Sequence, residues 1–315
     1  MTQISRFQPE HYLPLARLWN YAYPHLKTTS TNIRLQDKIA PLGFHQARWI
    51  AEQNAEIVGF AGYENYREEN FNPRKFRVHV VVRPESAGRG LGRRLLSQVL
   101  EALKPLKPFD ASVLVCLENE RSVAFAQQNG FGGELEWYYS RLDLDQFVLP
   151  KLEKLAEQWR GEGVTFHPFH EFSGEAGAGC RLHELYCSVR SDVPSSEPQP
   201  LPTREDFVGK LHRYPGEFDG YFVALHHGRF VGLGVLAGKT YIEGELHNEI
   251  LGVLPEFRRQ GVALGVIVRA IEWARSKGFR YVTAENSATN KAVIPLMELV
   301  GFQRQARWQL YRKMF

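Results

Sequence analysis

Val253-Leu-Pro255-Glu-Phe-Arg258-Arg-Gln-Gly261-Val-Ala263 has an earlier counterpart in the same chain, Val82-Arg-Pro84-Glu-Ser-Ala87-Gly-Arg-Gly90-Leu-Gly92. The two stretches lie 171 residues apart, and the same offset relates Asn119 to Asn290 and Gly130-Phe131 to Gly301-Phe302. Matches held in one register over this span mark two copies of one folding unit. The period is far longer than the roughly 20–50 residues of solenoid repeats. Upstream, Val58-Gly59 matches Val231-Gly232 at an offset two residues longer, so a small insertion or deletion lies between. The chain reads as a duplicated domain.

Each copy has the same local grammar. An apolar strand comes first, Phe76–Val82 in one copy and Ile250–Val253 in the other. A proline without an N–H ends the ladder. A glycine loop follows, then an amphipathic helix. Leu91, Leu95, Leu96, Val99, Leu100 and Leu103 recur at helical spacing, as do Val262, Val266, Ile267, Ala270, Ile271 and Ala274. Glycines at such a corner let the backbone approach a ligand and gather several N–H groups. With the positive end of the helix dipole these form an anion site. Arg89, Arg93 and Arg94 crowd one corner, and Arg258 and Arg259 the other. A diphosphate suits such a place. The dinucleotide fingerprint and the Walker loop are both absent. A tight turn with packing glycines is the plainer alternative for one copy; duplication with flanking arginines weighs against it.

The ordered set Val-x-Pro, Gly-x-Gly/Ala, a helix, a strand, Asn and Gly-Phe resembles the GCN5-related N-acetyltransferase (GNAT) superfamily. The tandem arrangement looks like the two-domain type that includes mycothiol synthase. The resemblance implies an α+β fold of two tandem GNAT-like domains, each a mixed, mostly antiparallel sheet flanked by helices. The expected limits are 1–147, a linker helix over 148–163, and 164–315. It also implies that acetyl-CoA is the co-substrate, with its pyrophosphate on the loops. The binding residues would be Val82, Gly88, Arg89, Gly90, Leu91, Gly92, Arg93 and Asn119 in the first copy. In the second they would be Val253, Arg258, Arg259, Gln260, Gly261, Val262, Ala263 and Asn290. The first copy departs from the family at Ala87, where Arg or Gln is usual.

Acyl transfer to an amine needs a base to take the amine proton and a donor for the developing oxyanion. By resemblance the donor is the N–H of Val253, or of Val82 in the first copy. The family base lies on the motif strand three pleats before that valine. His247 holds this position, with Glu249 in reserve. Simple alternation puts Glu245, His247, Glu249, Leu251 and Val253 on one face. The same count in the first copy reaches Phe76, which takes no proton. The second half is therefore expected to catalyse and the first not. The usual tyrosine acid falls on Ala126 and Met297, and Tyr311 is a candidate replacement. The expected activity is transfer of an acetyl group to a primary amine of a small molecule or peptide. The alternative is an acetyl-CoA-binding regulator without turnover.

Composition sets the outer bounds. A chain of 315 residues with 43% apolar content fits two globular domains. No stretch has the length of a membrane span, and Met1–Phe7 lacks the apolar run of a secretion signal. A cytoplasmic monomer or homodimer is expected. Three cysteines make no disulfide framework. Cys180, Cys187 and His183 fit no common zinc spacing, so no metal is expected. A net charge of +4 is small for nucleic-acid binding. Residues 24–46 read as a polar loop, and a helix is expected from His183. Pro194–Pro202 holds four prolines and reads as a surface loop or a lid.

Overall fold

The computed structural model of the chain describes residues 2–41, 43–66, 72–149, 151–195, 201–213, 215–238 and 243–315. The first copy runs β1 (Gln3–Arg6), α1 (Tyr12–Ala22), α2 (Ser30–Lys38), β2 (Gln46–Gln53), β3 (Glu56–Asn65), β4 (Lys75–Val82), α3 (Leu91–Leu103), β5 (Asp110–Cys116), α4 (Glu120–Gln128) and β6 (Gly132–Asp143). Helix α5 (Glu153–Gly161) follows. The second copy runs β7 (Val164–Pro168), α6 (Ala178–Ser191), α7 (Arg204–Arg213), β8 (Tyr221–His226), β9 (Arg229–Gly238), β10 (Glu245–Val253), α8 (Val262–Ser276), β11 (Tyr281–Ser287), α9 (Val293–Val300) and β12 (Gln303–Met314). In each copy four strands pair antiparallel and the motif strand then pairs parallel with the next, β4 with β5 and β10 with β11. This is the mixed α+β build expected.

The compact units do not coincide with the copies. One comprises residues 1–134 and 308–315, the other 135–307. The last strand of each copy is exchanged. In the first unit β12 pairs antiparallel with β5, from Trp308 opposite Cys116 to Met314 opposite Asp110. In the second unit β6 pairs antiparallel with β11, from Trp137 opposite Ser287 to Asp143 opposite Tyr281. The boundaries expected at 147 and 164 therefore shift, and the closing strand placed in the second domain belongs to the first. The two strands are themselves copies at the offset of 171, with Trp137 and Arg141 recurring as Trp308 and Arg312. Each so carries side chains that suit the other's slot. Arg312 holds the fully buried Asp110 at 2.7 Å and Glu134 at 2.7 Å. In the second unit Arg141 lies 4.5 Å over the ring of Tyr281, which stands where Asp110 does.

Each unit buries one helix stripe deeply. Leu91, Leu95, Leu96, Val99 and Leu103 of α3 pack on Phe76, Val78 and Ala111. Val262, Val266, Ile267, Ala270, Ile271 and Ala274 of α8 pack on Leu246, Val253, Val282 and Ala284. The valine, leucine, isoleucine and phenylalanine side chains among these contribute about 1.5–3 kcal/mol each when fully buried. On the opposite face of the second unit, Leu182, Leu185 and Val189 of α6 meet Leu233, Val235 and Ile250. Gly252 lets α6 come this close: a Cβ there would lie 2.3 Å from Val189.

The polar stretch before residue 46 contains α2, started by Thr29 Oγ1 accepting the Asn32 N–H at 3.0 Å. Helix α6 begins at Ala178, five residues before the expected start. Helix α7 was not foreseen, although Thr203 Oγ1 accepts the Asp206 N–H in the usual capping spacing. Of the Pro194–Pro202 stretch, residues 196–200 lie outside the described residues. Among the described residues no helix is long and apolar enough to cross a membrane.

Candidate active site

The two glycine corners fold alike. After the motif strand comes a one-turn helix led by proline, Pro84–Ser86 or Pro255–Phe257. Two left-handed residues follow, spaced by one: Gly88 (φ 76°) and Gly90 (φ 77°), or Arg259 (φ 65°) and Gly261 (φ 75°). This alternation turns successive N–H groups to one side and forms an anion nest. Gly90 and Gly261 cap the helices with no side chain over the first turn. The first backbone acceptors inside the helices serve Arg94 and Gly265. The earlier N–H groups are left for a ligand. Leu91 and Val262 turn their side chains into the cores, so only their backbones can serve a ligand.

The corners differ in what surrounds them. Nothing lies within 4 Å of where a Cβ at Gly90 would sit. At Gly261 that position is 3.0 Å from Leu155 and 3.4 Å from Trp159, both on α5. Arg258 is held by the Val253 carbonyl at 3.2 Å and by Asp192. Asn119 and Asn290 have local work: their Oδ1 atoms accept the N–H groups of Ser122 and Val293 at the starts of α4 and α9.

Beside each corner the sheet opens. The pairing of β10 with β11 ends at Asn248 opposite Ala284, and that of β4 with β5 at Arg77 opposite Ser112. The N–H of Leu254 points the other way, to Val231 O of β9 at 2.9 Å. Successive N–H groups of a strand alternate in direction, so Val253 N–H points into the gap. By the same logic Val82 N–H does so in the first unit, since Arg83 N–H goes to Val58 O at 2.8 Å.

The gap of the second unit carries a feature the first lacks. The pairing of β10 with β9 passes from Asn248 opposite Leu236 to Ile250 opposite Val235, leaving Glu249 as an unpaired β-bulge residue. The pairing of β3 with β4 runs without a break. The expected alternation is therefore wrong. Leu246 and Val253 share the α8 core, while Ile250 lies in the α6 core. His247 thus faces α6 and does not share a face with Val253. The bulge also moves the equivalence between copies. His247 lies opposite Thr283 and Arg77 opposite Ser112, so Arg77 is its counterpart, and Phe76 matches the buried Leu246. Glu249 has no counterpart.

Glu249 faces Tyr186 and Arg190 of α6. The Glu249 side chain is exposed at its rim, but the groups packed around its carboxyl hinder hydration and push its value up from the ordinary one, with Arg190 opposing. Burial also pushes the Tyr186 phenol up, and Glu249 adds to this. His247 Nδ1 lies 3.0 Å from Thr283 Oγ1, and Thr283 gives its proton to Leu246 O at 3.3 Å. This contact fixes the ring against β11, and in the tautomer whose Nδ1–H donates to Thr283 the basic lone pair lies on Nε2. Tyr186 and Arg190 were missed in the sequence because first helices carry no motif.

In the first unit the corresponding face is filled with rings. Trp19 of α1 and Tyr23, just past its end, lie 4.9 and 6.5 Å from His79, the counterpart of Ile250. Phe60 and Trp308 extend the cluster, and burial pushes the Tyr23 phenol up to about 12. Tyr311, offered as an acid for the second copy, is instead buried in the first unit opposite Val113. Ala126 and Met297 are buried core residues. His183 Nε2 faces the Pro202 carbonyl at 2.9 Å, so it carries the proton and is no base for Cys187, 3.3 Å away. Burial pushes that thiol up. Among the described residues no His, Cys, Asp or Glu cluster is arranged for a metal.

A family model described as "Acetyltransferase (GNAT) family" matches residues 13–131 and 181–302. A mycothiol acetyltransferase from Thermobispora bispora is 27% identical over 270 residues, covering 82% of this chain and 80% of that protein. A GCN5-related N-acetyltransferase from Sphaerobacter thermophilus superposes with a TM-score of 0.76 at 17% identity, covering 99% of this chain and 95% of that one. A tandem GNAT protein from the clavulanic acid biosynthesis pathway gives 0.69 at 15% identity, covering 100% and 98%. At such identities the structural likeness speaks for the fold.

Proposed function

The chain belongs to the GNAT acetyltransferase family, with two such domains in tandem, and on that premise we propose that its second unit moves an acetyl group from acetyl-CoA to a primary amine of a small molecule or peptide. The supporting observation is the bulge residue Glu249, set at the gap in the second copy only. The nest over Arg259–Ala263 would take the diphosphate, with the exposed Arg259 as its counter-charge. The pantetheine arm would lie along the gap as an added strand. Val253 N–H would then meet the thioester oxygen.

The acceptor amine approaches from the α6 face, since α8 fills the other. Glu249 takes the amine proton, and the nitrogen attacks the thioester carbonyl. The oxyanion is held by Val253 N–H, and its collapse forms the amide and breaks the thioester. The leaving group is an alkyl thiol like that of cysteine, whose ordinary value is about 8.5, so it departs as thiolate without a dedicated acid and takes its proton from Glu249 or water. His247, fixed through Thr283, is the second candidate base. The first unit keeps an open nest but lacks the bulge, and rings fill its acceptor face. Cofactor binding without turnover fits that unit.

The experiment is calorimetric titration of CoA, followed by an acetyl-transfer assay over a panel of amines. Binding together with turnover that Glu249→Gln depresses would support the assignment. Binding with no turnover on any amine would favour the regulator.

A further inference from the structure

Trp159 of α5 donates its indole N–H to the carbonyl of Gln260 at 3.1 Å. That carbonyl and the N–H of Gly261 belong to one planar peptide and point in opposite directions. We infer that Trp159 is a positioning residue that aims Gly261 N–H into the anion nest and makes α5 part of the cofactor site. The inference rests on the proposed diphosphate site of the second unit.

The peptide needs such a hold. It joins Gln260 to the left-handed Gly261, one residue after the left-handed Arg259, and glycine accepts either peptide orientation at little cost. A donor fixed on the carbonyl removes that freedom before the ligand arrives, so less ordering is left for binding to supply. It also polarises the peptide and strengthens the N–H on its far side. The donor is itself rigid: Trp159 packs edge-on to Phe166 at 4.7 Å, and Leu152, Leu155 and Ala156 pack on the α8 core. In the first unit the corresponding peptide, Arg89–Gly90, has open space around Gly90. The two nests share a backbone path, and among the described residues an indole donor holds the second. The second should bind diphosphates more tightly.

The test uses the full chain in a Gly90→Glu background, which adds a negative charge to the loop of the first unit. CoA, inorganic pyrophosphate and pantetheine are titrated by calorimetry before and after Trp159→Phe, which keeps the ring and deletes the donor. The expected result is a loss of about 3- to 10-fold for CoA and pyrophosphate, the scale of one hydrogen bond. Pantetheine, which has no diphosphate, should keep its affinity, and the melting temperature should change little. Trp159→Ala should lose at least as much for CoA. Equal CoA binding by Trp159→Phe, or equal weakening for pantetheine, would overturn the positioning role. A background protein that binds no CoA at all would instead refute the diphosphate site itself.

Discussion

Deleting Glu249 should leave the fold standing and remove the chemistry. In a regular strand, loss of one residue moves every following side chain to the other face. Here Asn248 already faces α8 and Ile250 already faces α6, and their partners Leu236 and Val235 are consecutive. Removing Glu249 makes the alternation regular and gives β10 the unbroken pairing that β4 has. Leu246 and Ile250, 2% and 4% exposed, stay where they are, so the cost should be within about 1 kcal/mol. Deleting His247 instead closes the same bulge from the other side. It moves Glu249 into the place of Asn248, which is 6% exposed. Burying an unpaired carboxylate costs several kcal/mol. Thermal melting should therefore separate two deletions that lie two residues apart. Acetyl transfer to an accepted amine should fall about 10²–10⁴-fold on loss of the base. If the Glu249 deletion melts as low as the His247 deletion, or keeps its turnover, the bulge does not have the role given to it.

The raised carboxyl of Glu249 sets two further expectations. Turnover should fall as pH drops through an apparent value raised from that of an ordinary glutamate, and Glu249→Gln should abolish that limb; an unchanged limb in Glu249→Gln but not in His247→Ala would transfer the role to His247. Because the folded value is raised, the contribution of Glu249 to stability is present below the ordinary value and lost as pH rises through the folded one. Glu249→Gln should then melt higher than the parent at about pH 8 and level with it at about pH 4. Asp110→Ala should destabilise the first unit by about 3–5 kcal/mol, since it breaks a buried ion pair by removing one partner of Arg312; a loss below about 1 kcal/mol in calorimetric melting would show that the pair does not hold the strand. Gly90→Ala should cost about 1 kcal/mol for its left-handed φ, whereas Gly261→Ala adds a Cβ 3.0 Å from Leu155 and should melt distinctly lower.

The glycine corners announce themselves in sequence because an anion nest needs particular residues at fixed spacing. The offset of 171 from Val82 to Val253 therefore carried the fold and both loops. The bulge escaped because Val58-Gly59 and Val231-Gly232 differ by two more. An extra residue in β10 is hidden inside a net shortening of the hairpin before it, so counting pleats back from Val253 lands on the wrong partner. The strand exchange escaped for a different reason. Trp137 and Arg141 repeat as Trp308 and Arg312, and a pattern that fits both sheets names neither. Tyr186 and Arg190 sit on a helix whose only regular signal is its apolar stripe. The Trp159 indole bond joins residues 101 apart, beyond any local pattern.

The exchanged strands tie the start of the chain to its end during synthesis. When residues 1–147 have left the ribosome, β5 still shows an open edge, and the strand that will cover it, 308–314, is made only after the rest of the second copy. In the meantime β6 is at hand with the same tryptophan and arginine. The nascent first half so carries a built-in rival for its own edge, released only when β11 emerges to claim β6. Long-range pairing of this kind slows folding and prolongs exposure of an unpaired edge. A truncation just before Trp308 would accordingly injure the unit built on residues 1–134, far in sequence from the lesion.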